Sequence, residues 1–529
     1  MKKLCALAVL VALSAAALIF VPGCKKKASP VKIGSSGLSS AETTSFKEVT
    51  SKLDTGGSFY LYLSTEQWLK DLSTKVGNLR ETVASLPNVQ DKKEQINDAF
   101  TVGTGLIKDS GLEDISGLGM SSIARAPGLY YNKLIIHHYS GQGNGFIWTI
   151  FGKDPHELTG LNLLPANTAM AAFYDLDSAQ VWAVIQKECE QSGFPQAKDF
   201  LKNFPQEFEK NTGMKWNDIV DSFDGEFGIV LTLNDAKMVN IPMPSGEPLE
   251  MGEPGFMLVA KIKNDLLFNH FDDALKKSRQ RGLIKVDKDG LKMRTMPINL
   301  PLPITLRPSI ATSGGYFFFA TTDALIQEAL AVKGGKAGLK STDEFKRLSA
   351  DVPQQGNQFC FLSQRFGQTI MKIQQRTLAM NNDTPPQVKQ LMQSFLQPDK
   401  AAFMYAVGAN TDEGWMTVAN GNQGSANVLA ASAVVPAVAA AIALPALAKA
   451  KETSQRNACI NNLRMIDGAK QQWALENSKT ASDVPSWNDI QPYLGGGKAI
   501  LVCPKGGGYS LGAVGERPTC SFPGHGLPQ

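Results

Sequence analysis

Histidine is scarce in this chain. Five residues in 529 leave little material for a metal or acid–base site. The seven cysteines contain no Cys-x-x-Cys pair, which argues against zinc ribbons and thioredoxin-type redox chemistry. No His-Glu-x-x-His pair occurs, so a common metallohydrolase signature is missing. Charge is thin as well. Only 19% of residues are charged, and 53 basic against 49 acidic side chains leave a net +4. A nucleic-acid protein would carry a concentrated basic face. The composition therefore implies no catalytic residue, no cofactor, no metal and no nucleic-acid partner. What is present is a 43% hydrophobic chain long enough for three or four domains.

The N-terminus is the most legible part. Lys2 and Lys3 precede an apolar run from Leu4 to Val21, closed by Val21-Pro22-Gly23-Cys24. A charged start, an apolar core and a small residue before the cut describe an export signal. The cysteine after Gly23 makes the segment resemble a bacterial lipoprotein signal, although that family prefers Ala or Ser where Pro22 stands. The resemblance implies that Cys24 is acylated and becomes the first mature residue. The partner it implies is a membrane, reached through a lipid anchor, with the body facing the periplasm or exterior. An uncleaved anchor would hold the body on the same side. Residues 1–23 are thus a signal peptide. Residues 24–46, rich in Ser, Thr and Gly, are a flexible tether.

From 47 to 422 one pattern recurs, a short apolar strand followed by an amphipathic helix. Ser58–Leu63 leads into Thr65–Leu69, Ala169–Tyr174 into Ser178–Trp182, Tyr316–Ala320 into Ala324–Gln327, and Gln358–Leu362 into Phe366–Met371. The change of period from two to 3.6 is the physical cue. Hairpin patterns lie between them: Leu134–Tyr139 with Phe146–Phe151, Phe227–Leu233 with Phe256–Lys263, and Ala402–Val407 with Trp415–Ala419. Helix starts are expected at Ser341–Glu344, from capping-box spacing, and at Thr384-Pro385. The expectation is an α+β fold of antiparallel sheets with helices packed on one face, in two similar lobes over 47–160 and 161–422.

Within the second lobe, Leu164-Pro165-Ala166-Asn167-Thr168 before a strand, with Phe223-Asp224-Gly225-Glu226 before the next, resembles uncharacterised bacterial envelope proteins. Their domain opens on Leu-Pro-Ala-Asp-Thr, so Asn167 is a departure. The resemblance implies an extracytoplasmic location and no assigned reaction. The residues themselves add little chemistry. His137 and His138 are strand neighbours whose side chains point to opposite faces. His156 and His270 stand singly beside carboxylates, a solvated-surface pattern. Gly141-x-Gly143-x-Gly145 reads as a turn. Gly495-Gly496-Gly497-Lys498 lacks the Ser or Thr of a phosphate loop. Asp221, Asp224 and Glu226 read as turn formers. Cys189 and Cys360 read as inert thiols in a helix and a strand.

The end of the chain differs in character. Residues 423–448 form an Ala-rich apolar stretch whose Val428–Ala448 part is long enough to span a bilayer, but Pro436 and Pro445 weaken such a helix. In 449–529, Cys459, Leu463, Ile466 and Trp473 fall on one stripe of a helix, with Arg456, Arg464 and Lys470 on other faces. The run Leu444-Pro445-Ala446-Leu447-Ala448-Lys449-Ala450-Lys451, followed by Cys459-Ile460-Asn461-Asn462-Leu463, resembles type IV pilin-like proteins, the type II secretion pseudopilins. The resemblance implies a long helix that associates with other pilin-like helices or secretion components, and a small loop-rich end. The basic leader and the acidic fifth residue of that family are absent. Cys503 and Cys520 could bridge this end in an oxidising compartment, contributing about 3 kcal/mol. If Val428–Ala448 spans the membrane, the tail lies in the cytoplasm instead and the bridge is not expected.

The leading functional expectation is a non-catalytic envelope lipoprotein. Its body is a binding or scaffold module and its tail a docking element. A carrier or sensor of an apolar ligand is the alternative. A periplasmic hydrolase, the third reading, needs a triad that the sequence does not offer.

Overall fold

A computed structural model describes residues 44–85, 93–241, 248–277, 282–298, 303–380, 401–425, 455–494 and 501–527. Cys24, Pro445, Lys449, Lys451, Thr384-Pro385, Gly495–Lys498 and the Val428–Ala448 stretch lie outside these residues. The chain divides into two compact units after Ala430.

The first unit is built on one 13-stranded sheet. In chain order its strands are β1 (Phe59–Ser64), β2 (Gly117–Ala126), β3 (Leu129–His137), β5 (Thr168–Asp175), β6 (Phe223–Ile241), β7 (Leu249–Ile262), β8 (Ile284–Lys288), β9 (Leu291–Thr295), β10 (Ser309–Ser313), β11 (Tyr316–Ala320), β13 (Gln358–Leu362), β14 (Met404–Thr411) and β15 (Gly414–Gly421). The two-residue strands β4 (His156–Glu157) and β12 (Gln355–Gly356) pair separately. The spatial order is β1-β2-β3-β15-β14-β13-β5-β6-β7-β11-β10-β9-β8. Its pairings are antiparallel. Strands on both sides of the expected boundary at residue 160 share this sheet, because β15 inserts beside β3.

Alternation along the strands separates two faces. In β11, Tyr316, Phe318 and Ala320 are buried while Phe317 and Phe319 face the other way. The buried face joins Phe173, Val230, Met257, Phe318, Phe361 and Tyr405 to the helices Asp323–Lys333 and Asp343–Leu348 in one core. Burying a Phe or Leu side chain there is worth about 1.5–3 kcal/mol. On the opposite face Leu258 and Phe319, directly opposed across β7 and β11, are 40% and 38% exposed.

The strand-then-helix order holds at all four places where it is expected, with helices at Glu66–Leu69, Ser178–Gln191, Asp323–Lys333 and Gln364–Met380. The last two hairpins also form, as β6–β7 and β14–β15. The first does not. Phe146–Thr149 is a short helix, not a strand. Both edges of β3 are already occupied, by β2 and β15, so no ladder position remains for a strand at 146–151. Trp148 turns inward instead, and its Nε1 donates to the carbonyl of Gly111 at 2.9 Å. The helix near 341 begins one residue later than expected, with Thr342 as N-cap accepting from the Phe345 amide.

His137 and His138 do not divide between core and solvent. Both are buried. The strand ends at His137, so alternation no longer governs His138, whose ring lies edge-on to Trp148 at 4.6 Å.

The second unit centres on a helix over 455–476. Its expected stripe is real: Cys459, Leu463, Ile466 and Trp473 are all buried. Ile466 and Trp473 meet Ile490, Leu494, Leu511 and Val514. Lys470, expected on an outer face, is fully buried, its ammonium donating to the carbonyls of Leu511 and Glu516. Ser486 and Asp489 form a capping box for the helix Trp487–Ile490. Strands β16 (Tyr509–Ser510) and β17 (Thr519–Cys520) form a two-residue hairpin. Among the described residues, no helix is long and apolar enough to cross a membrane.

Candidate functional site

In the sheet unit the ionisable groups converge beside the ends of β5 and β6. A cleft of about 660 Å³ is lined there by residues that include Lys153, His156, Asp175, Asp224, Glu226 and Lys261. Strand β4 holds His156, and β5 delivers Asp175 at its last position. His156 Nε2 donates to both carboxylate oxygens of Asp175, at 2.8 and 3.0 Å. Its Nδ1 lies 2.9 Å from the carbonyl of Glu157. With both ring nitrogens facing acceptors, the imidazolium is favoured. The hydrogen bond to Asp175 is the main cause that raises the His156 pKa to about 9, against the opposing effect of burial.

A fixed frame stands behind this pair. Asn357 Nδ2 donates to Asp175 Oδ2 at 3.0 Å and to the carbonyl of Asp154 at 2.9 Å. Its Oδ1 accepts from the Asn410 amide at 2.8 Å, and Asn410 Nδ2 donates to the carbonyl of Gly152 at 2.8 Å. Gly152, at φ +87°, is needed here. A Cβ would lie 2.5 Å from both Asn357 Nδ2 and Asp175 Oδ2.

Glu226 is not a turn former. It is buried in β6, accepts from Thr159 Oγ1 at 2.8 Å, and lies 3.2 Å from the Tyr316 hydroxyl. Burial is the largest influence raising the Tyr316 pKa to about 12. Asp224 pairs with Lys261 at 3.4 Å on the cleft wall. The carboxylates near Phe223 therefore separate into one buried acceptor and one surface ion pair. Local pattern cannot distinguish these, because Thr159 and Tyr316 approach Glu226 from distant parts of the chain.

In the second unit the structure gathers a set that the sequence reading missed. Cys459, Cys503, Cys520 and His525 each offer a ligand atom, and these atoms all lie within 4.8 Å of one another. Cys459 comes from the early turns of the 455–476 helix, Cys520 from β17, and Cys503 and His525 from loops. Cys503 and Cys520 carry free thiols, so the expected bridge is not formed. The expectation of no metal ligands rested on the scarcity of histidine and the missing Cys-x-x-Cys pair. The ligand types converge here through tertiary contacts over 66 residues instead. The only local hint was three cysteines sharing one tail, with a histidine five residues after the last.

The surroundings of this cluster are ordered. Cys503 Sγ lies 3.5 Å from His525 Nδ1. The Gly506 amide donates to the Cys503 carbonyl at 2.8 Å, closing a tight turn. Burial raises the Cys503 thiol pKa, but the Lys505 and Gly507 amides, His525 and Cys459 outweigh it and bring it down to about 6. Burial pushes Cys459 up to about 12. Tyr509 donates to Cys459 Sγ at 3.5 Å and accepts from Asn462 Nδ2 at 3.0 Å. Leu463 and Phe522 close the apolar side.

The fold and these sites define an extended antiparallel α+β body followed by a small cysteine-bearing unit. Residues 150–397 match a family described as a protein of unknown function, DUF3352. The matched span contains His156, Asp175, Asn357 and Glu226, and ends before β14, which carries Asn410, and β15. No curated protein and no solved structure matches the chain.

Proposed function

We propose that this chain is a non-catalytic lipoprotein of the cell envelope, held to a membrane by acylated Cys24, whose body is a binding or scaffold module. The observation that carries the non-catalytic reading is the state of the cleft. Its imidazole and two of its carboxylates are held by other side chains: His156 by Asp175, Glu226 by Thr159 and Tyr316, and Asp224 by Lys261. A general base works on a proton of the substrate. An imidazolium already held between two acceptors is suited to presenting a fixed charge to a ligand. The envelope location rests on the Lys2–Cys24 signal pattern. Two similar lobes within the single sheet are part of this proposal, supported by the repeated strand-then-helix order.

Docking of the tail to pilin-like helices or secretion components is also proposed. The Cys459–Trp473 stripe is used for the tail's own packing. Docking therefore falls to the preceding run containing Pro445, Lys449 and Lys451. The alternative, a carrier or sensor of an apolar ligand, is favoured by the exposed Leu258–Phe319 pair on the open sheet face.

The test is metabolic labelling of cells with a palmitate analogue, followed by cross-linking and mass spectrometry of what co-purifies. Label that disappears in Cys24→Ala, with polypeptides captured by the full chain and lost on deleting 449–529, supports the proposal. Label that survives in Cys24→Ala refutes the anchor, and capture unchanged by the deletion refutes docking. Lipid recovered in place of polypeptide, and lost in Phe319→Asp, would favour the carrier.

A further inference from the structure

We propose that Cys459, Cys503, Cys520 and His525 form a closed structural zinc site that holds the second unit together. The donor set is three sulfurs and one imidazole nitrogen, the chemistry that tetrahedral Zn²⁺ takes in structural sites. Ordinary zinc bond lengths put tetrahedral ligand edges at about 3.6 Å for S–N and about 3.8 Å for S–S. The Cys503–His525 separation of 3.5 Å already meets the first, and all four donors lie within 4.8 Å, close to the second. A disulfide would need two sulfurs about 2 Å apart and would leave the third thiol and the imidazole without a role.

The second sphere fits the same use. Gly507 leaves room where a Cβ would lie 2.7 Å from Cys520 Sγ. The Phe522 amide donates to Cys520 Sγ at 3.4 Å and the Tyr509 hydroxyl to Cys459 Sγ. Such donors stabilise metal-bound thiolates and orient them. Cys459, Cys503 and His525 are buried, and four protein ligands fill the shell. The site is therefore structural, with no position left for a substrate. Binding displaces the thiol protons and changes no oxidation state.

The need is also visible. Among the described residues of the unit, the 455–476 helix is accompanied by a four-residue helix, a single 3-10 turn and a two-residue hairpin. Small units of this kind commonly depend on a metal or a disulfide.

The experiment uses the full chain, solubilised in detergent, kept reduced and carrying no histidine tag. Elemental analysis should find about one zinc per chain, as one site requires. Cys360→Ser, in the other unit, should keep it, and Cys520→Ser should lose most of it. A ligand variant that merely unfolds the tail would lose metal too, so His525→Cys decides. It preserves four ligands, should retain zinc, and in cobalt-substituted protein should strengthen the thiolate charge-transfer absorption. The proposal is overturned by metal-free protein after incubation with zinc, by metal content unchanged in Cys520→Ser, by cobalt spectra identical in wild type and His525→Cys, or by a Cys503–Cys520 disulfide in a parallel sample isolated without reductant and with free thiols blocked at lysis.

Discussion

Asp175→Asn probes the cleft most directly. In the native protein Asp175 accepts from His156 and Asn357 and is itself mostly buried, its side chain only 13% exposed. The His156 pKa is raised from 6.5 to about 9. At about 1.4 kcal/mol per unit that rise would be worth about 3 kcal/mol. The His156 side chain is 45% exposed, and solvent screening reduces the ion pair to about 1 kcal/mol. The bond to Asn357 adds about 1 kcal/mol, giving about 2 kcal/mol in all. Because the folded pKa is raised, the His156 contribution is fully present below pH 6.5 and is lost as pH rises through 9.

Urea unfolding of the full chain at pH 6 should therefore show Asp175→Asn to be less stable by about 2 kcal/mol, falling to about 1 kcal/mol at pH 10. Exchange of the His156 ring C2 proton, followed by mass spectrometry of its peptide, reads the pKa independently. It should titrate near 9 in the wild type and within about a unit of 6.5 in the variant. A destabilisation that is the same at both pH values, with His156 titrating near 6.5 in the wild type, would refute the coupling. It would also remove the fixed charge on which the binding reading depends.

Three other outcomes follow from the packing. Gly152→Ala should cost about 2–3 kcal/mol, through a disfavoured φ and a clash with Asn357 and Asp175, measured by thermal melting. Asp272→Ala should cost about 3–4 kcal/mol in urea unfolding, because it strips the bidentate partner from buried Arg294, which is left with the more exposed Asp287 and the carbonyls of Val286 and Met293. Arg294 also holds the Asp272 pKa below the ordinary carboxylate value, so the loss in Asp272→Ala should shrink as acid protonates the wild-type carboxyl. Lys470→Met should cost about 1–3 kcal/mol, since the Leu511 and Glu516 carbonyls lose their donor; hydrogen exchange should show the change confined to 455–527.

The sheet was readable at the level of single elements. Tyr316–Ala320 alternates because one face of β11 is core and the other is not, and two-residue periodicity records that directly. Ser178–Gln191 and Asp323–Lys333 follow their strands because apolar residues at helical spacing need a surface to cover. Pairing was not readable. Residues 146–151 look like a strand, and only the insertion of β15 beside β3, from nearly 280 residues away, removes the edge they would have used. Glu226 looked like a turn carboxylate until Thr159 and Tyr316 closed on it.

The tail divides in the same way. The stripe Cys459, Leu463, Ile466 and Trp473 is a property of helical spacing, so it was fixed by the chain alone. What the stripe meets was not, because Ile490, Leu511 and Val514 reach it only through the tertiary fold. Lys470 shows the limit most clearly. Helical spacing puts it on the stripe, four residues after Ile466 and three before Trp473, but does not show what would satisfy a charge there; only the arrival of two carbonyl oxygens makes burial of its ammonium tolerable. The four ligand atoms of the proposed zinc site follow the same rule. Residue type was written in the sequence, but ligation depends on distance, and Cys459 and His525 become neighbours only when the helix, the Cys503 turn and the β16–β17 hairpin close on one another.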